Sequence, residues 1–144
     1  MDSCPLNRYD HAMAIQGEIK SYRDIVAWQR SMRLAREVYR VTGKWPKEEQ
    51  FGLTSQVRRS AVSVPSNIAE GHGRRSPREF LRHLNISYGS LMELETQILL
   101  ASELEFLSPK LRNEVLTIAR DTGMLLNRLI AAVRARCDEE SPSK

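Results

Sequence analysis

One helical stretch carries a proline in its middle, and this feature constrains the fold of the chain more than any other. Between positions 53 and 68, apolar residues recur at spacings of four, four, three and four, as on one face of an α-helix. Pro65 lies inside this stretch, where it removes the hydrogen bond to the carbonyl of Ala61 and crowds that carbonyl. The pattern therefore predicts a helix that continues through Pro65 and bends there. Its apolar face comprises Leu53, Val57, Ala61, Val64 and Ile68.

The residues around Pro65 are small or polar. Small side chains such as Ser60 and Ala69 allow a neighbouring helix to approach closely. We expect the side chain of Asn67 to be largely buried and to bond backbone groups near the bend, since serine and asparagine can satisfy a freed carbonyl. Glycines at positions 71 and 73 predict the end of the helix. A kinked core helix without any chemistry is the simplest interpretation, with structural roles for Pro65, Asn67, Glu70 and Gly71.

Three further segments have amphipathic helical patterns. Ser76-Pro77 and Ser108-Pro109 are typical N-cap and first-turn pairs, and Glu79 completes a capping box. Four helices with short connections predict an all-α fold, an antiparallel up-down-up-down four-helix bundle whose second helix is kinked at Pro65. The bundle is predicted to span residues 21–137, with residues 1–20 as a flexible N-terminal arm. The last helix is predicted to end near Arg136, and residues 138–144 to form a frayed tail.

The first helix, over about residues 22–42, shows two apolar lines. One line has the alternating spacing of a bundle seam and is predicted to face the core: Ile25, Trp28, Met32, Ala35 and Tyr39. The other contains Ala27, Leu34, Val38 and Val41. A helix with two such lines either lies centrally or contacts another subunit. We therefore take Leu34, Val38 and Val41 as the candidate oligomer interface.

The third and fourth helices each show one long apolar line. Gly89 lies inside the third helix and costs about 1 kcal/mol relative to alanine, so we interpret it as a site of close helix contact. The third helix carries Phe80, Leu84, Ser87, Leu91, Leu94, Ile98 and Ala101, and the fourth carries Leu111, Val115, Ile118, Thr122, Leu125, Leu129 and Ala132.

The composition argues against an enzyme, a metal site and a membrane protein. Histidine occurs only at positions 11, 72 and 83, and no HExxH, CxxC or Glu-x-x-His pattern is present, so no catalytic residue, cofactor or metal ligand is assigned. No apolar run approaches the roughly 20 residues that span a bilayer. The two cysteines, Cys4 and Cys137, suggest reduced thiols, and we expect a cytoplasmic protein.

The basic residues suggest a nucleic-acid contact. The chain has a net charge of +4, and its arginines are dense around the connection between the second and third helices, together with His72 and His83. Arginines beside the N-terminus of a helix can bind phosphate oxygens without reading bases. The alternative is a solvated arginine face paired with Glu70, Glu79 and Asp121. The candidate nucleic-acid-binding residues are Arg58, Arg59, Arg74, Arg75, Arg78 and Arg82.

Several motifs resemble the four-helix bundle family encoded in 23S rRNA intervening sequences, also labelled S23 ribosomal protein. They extend over about residues 22–107 and include Tyr22-Arg-Asp-Ile-Val-Ala-Trp28, Gly52-Leu-Thr-Ser-Gln-Val-Arg-Arg-Ser-Ala61, Ser63-Val-Pro-Ser-Asn-Ile-Ala-Glu-Gly71, Arg74, Ser76, Glu79-Phe80, Gly89-Ser90 and Glu93-Leu94. The resemblance implies a non-enzymatic bundle that assembles as a ring, a homopentamer. It also implies a relationship to accessory proteins of diversity-generating retroelements, which bind nucleic acid and contact a reverse transcriptase.

Two functional hypotheses follow. In the first, an oligomeric bundle binds RNA or DNA through its arginine-rich surface, as an accessory to a reverse transcriptase or an rRNA element. In the second, a protein–protein assembly or adaptor ring has no nucleic-acid role, and its arginines serve solubility and contacts between subunits.

Overall fold

The computed structural model describes residues 19–141, which form four α-helices and contain no β-strand. The helices are α1 (Val26–Thr42), α2 (Leu53–Gly73), α3 (Pro77–Glu103) and α4 (Pro109–Glu140), with single 3-10 turns at Tyr22–Asp24 and Lys47–Glu49. Each helix packs against the next in the chain, and α4 packs back against α1. The predicted all-α four-helix bundle is confirmed.

Local side-chain caps set where the helices begin. The hydroxyl of Ser76 accepts from the Glu79 N–H at 3.4 Å, and the hydroxyl of Ser108 accepts from the Leu111 N–H at 3.2 Å. A proline follows each cap at the first helical position, where its missing N–H has no partner to lose. The second helix begins at Leu53, and Lys47–Glu49 forms a separate 3-10 turn before it. Both predicted serine caps are confirmed.

The fourth helix is longer than predicted. It runs to Glu140, past the predicted end near Arg136, because no glycine or proline interrupts the helix over residues 131–140. Residues 138–140 of the predicted frayed tail are therefore helical. Residues 142–144 and most of the predicted arm, residues 1–18, lie outside the part of the chain that the structure describes.

The core stripe of α1 differs from the predicted one. Leu34 and Val38 are 0% exposed and Val41 is 5% exposed, so these residues form the core of the chain itself. They cannot form an oligomer interface while the bundle is folded, and that assignment was wrong. Trp28 and Tyr39 were both predicted for the core. In the structure Trp28 is half-buried and Tyr39 is exposed. The buried stripe runs at spacings of four and three through Ala27, Ser31, Leu34, Val38 and Val41.

The predicted apolar faces of α2 and α3 are confirmed, since every residue assigned to them is buried. Helix α2 continues through Pro65, which is itself buried, and the bend at Pro65 stays a prediction. The two glycines predicted to end the helix differ in role. Gly73 is its last residue, with Arg74 as the cap, whereas Gly71 is buried two residues earlier. Gly89 is exposed, and a Cβ added there would meet nothing within 4 Å, so the predicted close contact was wrong.

A polar seam joins α2 to α3. We define it by its hydrogen-bonded pairs. The Ser60 hydroxyl donates to Gln97 Oε1 at 2.5 Å, the hydroxyls of Ser63 and Ser90 lie 2.8 Å apart, and Asn67 bonds His83. The hydroxyl of Ser87 adds a bond of 2.8 Å to the Val64 carbonyl, beside Pro65. Each polar side chain of the seam therefore has a partner on the facing helix.

Candidate functional site

The six candidate arginines do not form one surface. Four lie at the corner where α2 ends and α3 begins: Arg74, Arg75, Arg78 and Arg82. Arg58 and Arg59 lie in the first two turns of α2. At roughly 1.5 Å per residue, Arg59 is about 22 Å from Arg74 along the helix. The prediction grouped the six arginines by their nearness in the sequence and did not account for the axial rise of α2. We call the set of four the corner arginines.

The corner arginines are exposed, and two of them form ion pairs. Arg74 Nη2 lies 3.1 Å from Glu70 Oε1, and Arg82 Nη2 lies 3.0 Å from Glu79 Oε2. The hydrogen bond from Arg82 holds the pKa of the Glu79 carboxyl below its usual value. Ion pairs this exposed contribute little to stability, so a phosphate group can compete for either arginine.

Arg75 and Arg78 have no ion pair within residues 19–141. The guanidinium of Arg78 donates to the Ser141 hydroxyl, at 3.5 Å. The backbone of Arg75 has a φ of 56°, in the left-handed region, and it reverses the chain between the two helices. The corner therefore carries more positive charge than its two glutamates neutralise. It also lies at the positive end of the α3 dipole.

The histidine near this corner on α3 does not belong to the exposed set. His83 is 4% exposed, with Nδ1 at 3.1 Å from Asn67 Oδ1 and Nε2 at 3.2 Å from Arg82 Nη2. Because a guanidinium only donates, Nε2 accepts, and the proton of the neutral ring lies on Nδ1, from which it is donated to Asn67. His83 therefore orients Arg82 and bonds α2, and it is not available to a phosphate.

Asn67 completes this link. Its side chain is half-buried, and Nδ2 donates to the Ser63 carbonyl at 2.9 Å and to the Ser63 hydroxyl at 3.0 Å. The amide thus joins the backbone of α2, two residues before Pro65, to the imidazole of His83. This placement gives Asn67 a packing role. Of the other residues assigned structural roles, Pro65 and Gly71 are buried, whereas Glu70 is exposed and contacts Arg74.

His72 also points inward. Its ring packs edge-on against Phe80, with centroids 5.7 Å apart, and its Nε2 is buried without a hydrogen-bond partner among the described residues. Burial lowers the pKa of His72, so the ring is neutral at pH 7. His72, which seemed to extend the basic cluster in the sequence, therefore adds no positive charge to it.

Arg58 is engaged within the chain. Its Nε donates to the Thr42 hydroxyl at 2.9 Å, and its guanidinium carbon lies 4.6 Å from the centroid of the Tyr39 ring. Arg59 is exposed and borders a depression that also contains Phe51, of which 92% is exposed. Sequence reasoning overlooked Phe51 and Tyr39 as surface aromatics. Phe51 lies outside the predicted apolar lines, which was the available signal, whereas the spacing of Tyr39 placed it in the line predicted for the core.

Residues 19–141 contain no group of three or more His, Cys, Asp or Glu side chains that could hold a metal ion. Cys137 is a free thiol at a half-buried position of α4. None of the four helices is long and apolar enough to cross a membrane.

The chain is similar to known proteins both in sequence and in fold. The family model described as 23S rRNA-intervening sequence protein matches residues 23–128. A crystal structure of a protein of unknown function from the S23 ribosomal protein family of Bacteroides thetaiotaomicron superposes with a TM-score of 0.67. That protein shares 23% sequence identity, and the alignment covers 74% of this chain and 96% of the other. At this identity the superposition shows a common fold. No curated protein matches significantly.

Proposed function

The chain belongs to the 23S rRNA-intervening sequence protein family, and from this premise we propose that it is a non-enzymatic bundle that binds RNA or DNA through phosphate contacts. The observation that carries the proposal is the set of corner arginines. All four are exposed, at one turn between two rigid helices, and Arg75 and Arg78 have no carboxylate partner within residues 19–141. Guanidinium groups bind phosphate in a bidentate geometry, which suits them to this task.

The contact is with the backbone of the nucleic acid. Recognition of base edges needs side chains that enter a groove, and the corner offers a short turn with flexible arginines instead. His72 and His83, which the sequence groups with the arginines, point into the protein and take no part in this contact. We therefore propose binding with little sequence preference and with strong salt dependence.

We also propose that the protein acts as an oligomer, a ring of five copies, as the family resemblance implies. Repetition places one set of corner arginines on each copy, so a modest net charge of +4 for a single chain is multiplied on one assembly. A reverse transcriptase or an rRNA element is the partner that the resemblance favours for such an assembly.

The second candidate function is an adaptor ring that binds only protein. The exposed aromatic side chains Tyr39 and Phe51 favour it, because aromatic residues are enriched in protein interfaces. In that case the corner arginines keep the protein soluble, and nucleic acid does not bind at low salt.

Binding of labelled RNA and DNA across a salt series tests the proposal. A phosphate-driven complex weakens with a log–log slope of about −0.9 per neutralised phosphate on duplex DNA. Changing Arg74, Arg75 and Arg78 to Ala should weaken binding to all sequences alike and flatten the slope by up to about one unit per lost phosphate contact. The melting temperature should hardly change, since all three side chains are exposed.

A matched control removes the same charge elsewhere. Lys44, Lys47 and Lys110 are exposed and lie away from the corner, so their change to Ala lowers the net charge equally. The control should retain most of the binding. Equal loss in both triple variants would show a general charge effect and would exclude the corner as the contact. Wild-type protein that fails to bind at low salt would favour the adaptor function.

A further inference from the structure

Two of the candidate arginines, Arg58 and Arg59, border a depression at the start of α2 and lie away from the corner. The depression has a volume of about 460 Å³, within the range of about 300–1,000 Å³ that is usual for sites of small ligands. Side chains three and four residues apart on α2 form much of its wall. Tyr39 of α1 and Phe51, in the turn before α2, contribute the aromatic part of the lining.

The lining of the depression is basic. Within residues 19–141 it contains two arginines and neither aspartate nor glutamate. The nearest carboxylate along the chain, that of Glu49, accepts a hydrogen bond from the Leu53 N–H at 3.0 Å and is engaged there. The start of α2 also contributes the positive end of its helix dipole. The depression therefore favours a ligand that carries negative charge.

The guanidinium of Arg58 is held in place by its neighbours. Its Nε donates to the Thr42 hydroxyl at 2.9 Å, and its central carbon lies 4.6 Å from the centroid of the Tyr39 ring. The Nη1 and Nη2 groups of Arg58 have no partner among residues 19–141, so they are available to bind a phosphate in a bidentate geometry. Arg59 follows on the same wall, is exposed, and has no ion pair in the described part of the chain.

Phe51 offers a surface for stacking. It is 92% exposed, although phenylalanine is among the residue types most often buried. Because its ring lies at the rim of a basic depression, a planar ligand can stack on it while a negative group of the same ligand reaches the two arginines. Proteins that bind single-stranded nucleic acid combine these two features, with aromatic rings for the bases and cations for the backbone.

A hydroxyl in the wall of the depression lacks a partner. Thr54 is 7% exposed, and its Oγ1 is buried without a hydrogen bond to any described residue. A threonine inside a helix can donate to the carbonyl four residues earlier, but Thr54 is the second residue of α2. A buried hydroxyl without a partner costs free energy, which a bond to a ligand would recover. Rotation about the Cα–Cβ bond exchanges the hydroxyl with the methyl group, so the hydroxyl can reach such a ligand.

We propose that this depression binds one unpaired nucleotide of a single-stranded RNA or DNA. The base stacks on Phe51, the phosphate accepts hydrogen bonds from Arg58 and Arg59, and the hydroxyl of Thr54 bonds the base or the sugar. The site goes beyond the phosphate contact at the corner, because it requires a base that is not paired within a duplex. Stacking tolerates every base, so this site adds a preference for single strands and little preference for sequence.

A nucleotide fits the depression better than a protein segment does. It joins a planar ring to a negative charge in one unit, which is the combination that Phe51 and the two arginines can bind. An apolar peptide would leave the arginines without a counter-charge. An acidic peptide would neutralise them but would leave the ring of Phe51 exposed.

Substitution of Phe51 tests the proposal, with a labelled single-stranded RNA and a duplex of the same sequence as probes. Phe51→Ala should weaken binding of the single strand by about 5- to 150-fold, the loss expected for one stacked base. It should leave binding of the duplex, through the corner arginines, unchanged. Phe51→Trp should retain binding, and the single strand should quench the fluorescence of the added indole. Met124→Ala, which shortens an apolar side chain of α4 that is 52% exposed, is the matched control and should change neither affinity.

Two further variants test the polar contacts. Arg59→Ala should flatten the log–log salt dependence of single-strand binding by about 0.7 for the lost phosphate contact. Lys110→Ala removes a cation outside the depression and should leave that slope unchanged. Thr54→Val replaces the unpartnered hydroxyl by a methyl group, so it should raise the melting temperature and weaken single-strand binding. A purely structural Thr54 would change the melting temperature alone.

Three results would overturn the inference. If Phe51→Ala binds the single strand as tightly as the wild type does, no base stacks on this ring. If Phe51→Ala weakens the single strand and the duplex alike, the depression contacts the backbone and no unpaired base. If the wild type binds the duplex but not the single strand at low salt, a protein partner is the better occupant of the depression. Duplex binding is measured in the same assay, so a failure of the corner contact is seen separately from a failure of this site.

Discussion

Gly71 on α2 lies directly against His83 on α3. A Cβ placed on Gly71 would come within 2.5 Å of the His83 Cβ and 3.3 Å of Phe80 Cδ1. The first of these atoms is fixed to the backbone of α3, so it cannot swing away. The absence of a side chain at position 71 thus lets the two helices approach closely enough for Asn67 to bond His83.

We expect Gly71→Ala to destabilise the protein. The added methyl group forces α2 and α3 apart, and such overpacking costs about 1–3 kcal/mol, of which the better helix propensity of alanine returns up to about 1 kcal/mol. Urea unfolding followed by circular dichroism measures the change. A variant as stable as the wild type would show that the helix contact is looser than the structure indicates.

Gly89→Ala should have the opposite effect. Gly89 lies inside α3, is exposed, and leaves open space where a Cβ would be. The substitution should therefore stabilise the protein by up to about 1 kcal/mol through helix propensity alone. It serves as the control for Gly71→Ala, since both replace a helical glycine by the same residue. A clear loss of stability would indicate that Gly89 is covered in an assembly.

Charging the core stripe of α1 should unfold the chain. Leu34 and Val38 are completely buried, so the double change to Asp places two unpaired carboxylates in the core, which a folded bundle cannot accommodate. Thermal unfolding by circular dichroism should lose its cooperative transition. Val62→Glu, at an exposed position of α2, should keep that transition. A double Asp variant that stays helical and cooperative would contradict the assignment of these residues to the core.

The stability should depend on pH through His72. Burial lowers its pKa in the folded protein, so the unfolded chain binds a proton more readily near the ordinary value of 6.5. The stability that the neutral His72 ring contributes is fully present above that pKa and is lost as the pH falls below it. We expect the melting temperature of His72→Gln to fall less than that of the wild type between pH 7.5 and 5.5. Identical pH dependence in the two proteins would exclude this role.

The core faces followed from the sequence where a single line of mostly apolar residues marks the helix. The faces of α2 and α3 were predicted correctly on this basis, although Ser87 lies within the buried face of α3. On α1 the buried stripe contains Ser31, whose hydroxyl is satisfied by the Trp28 carbonyl at 2.8 Å. A polar residue inside the stripe made the neighbouring line of larger side chains look like the core. Helical spacing alone cannot separate two apolar lines when one of them faces a groove.

The candidate site was harder to predict than the fold. The arginines were grouped by nearness in the sequence, although the rise of α2 separates Arg59 from the corner. The polar seam had a signal that was overlooked, since its members recur at spacings of four and three on both helices. They are Ser60, Ser63 and Asn67 on α2, and His83, Ser87 and Ser90 on α3. The partner that covers exposed apolar side chains such as Phe51 is determined by an assembly, and no pattern within one chain encodes it directly.

The polar seam also determines which helix packs against α2, and at which position along the axis of α2. Apolar helix faces tolerate a shift of one turn, because one leucine replaces another at similar cost. Paired hydroxyl, amide and imidazole groups do not tolerate it, since a shift of α3 along α2 would separate Ser60 from Gln97 and Asn67 from His83 together. The seam therefore fixes the register of α3 against α2. It selects the native register of the α2–α3 pair over slipped pairings.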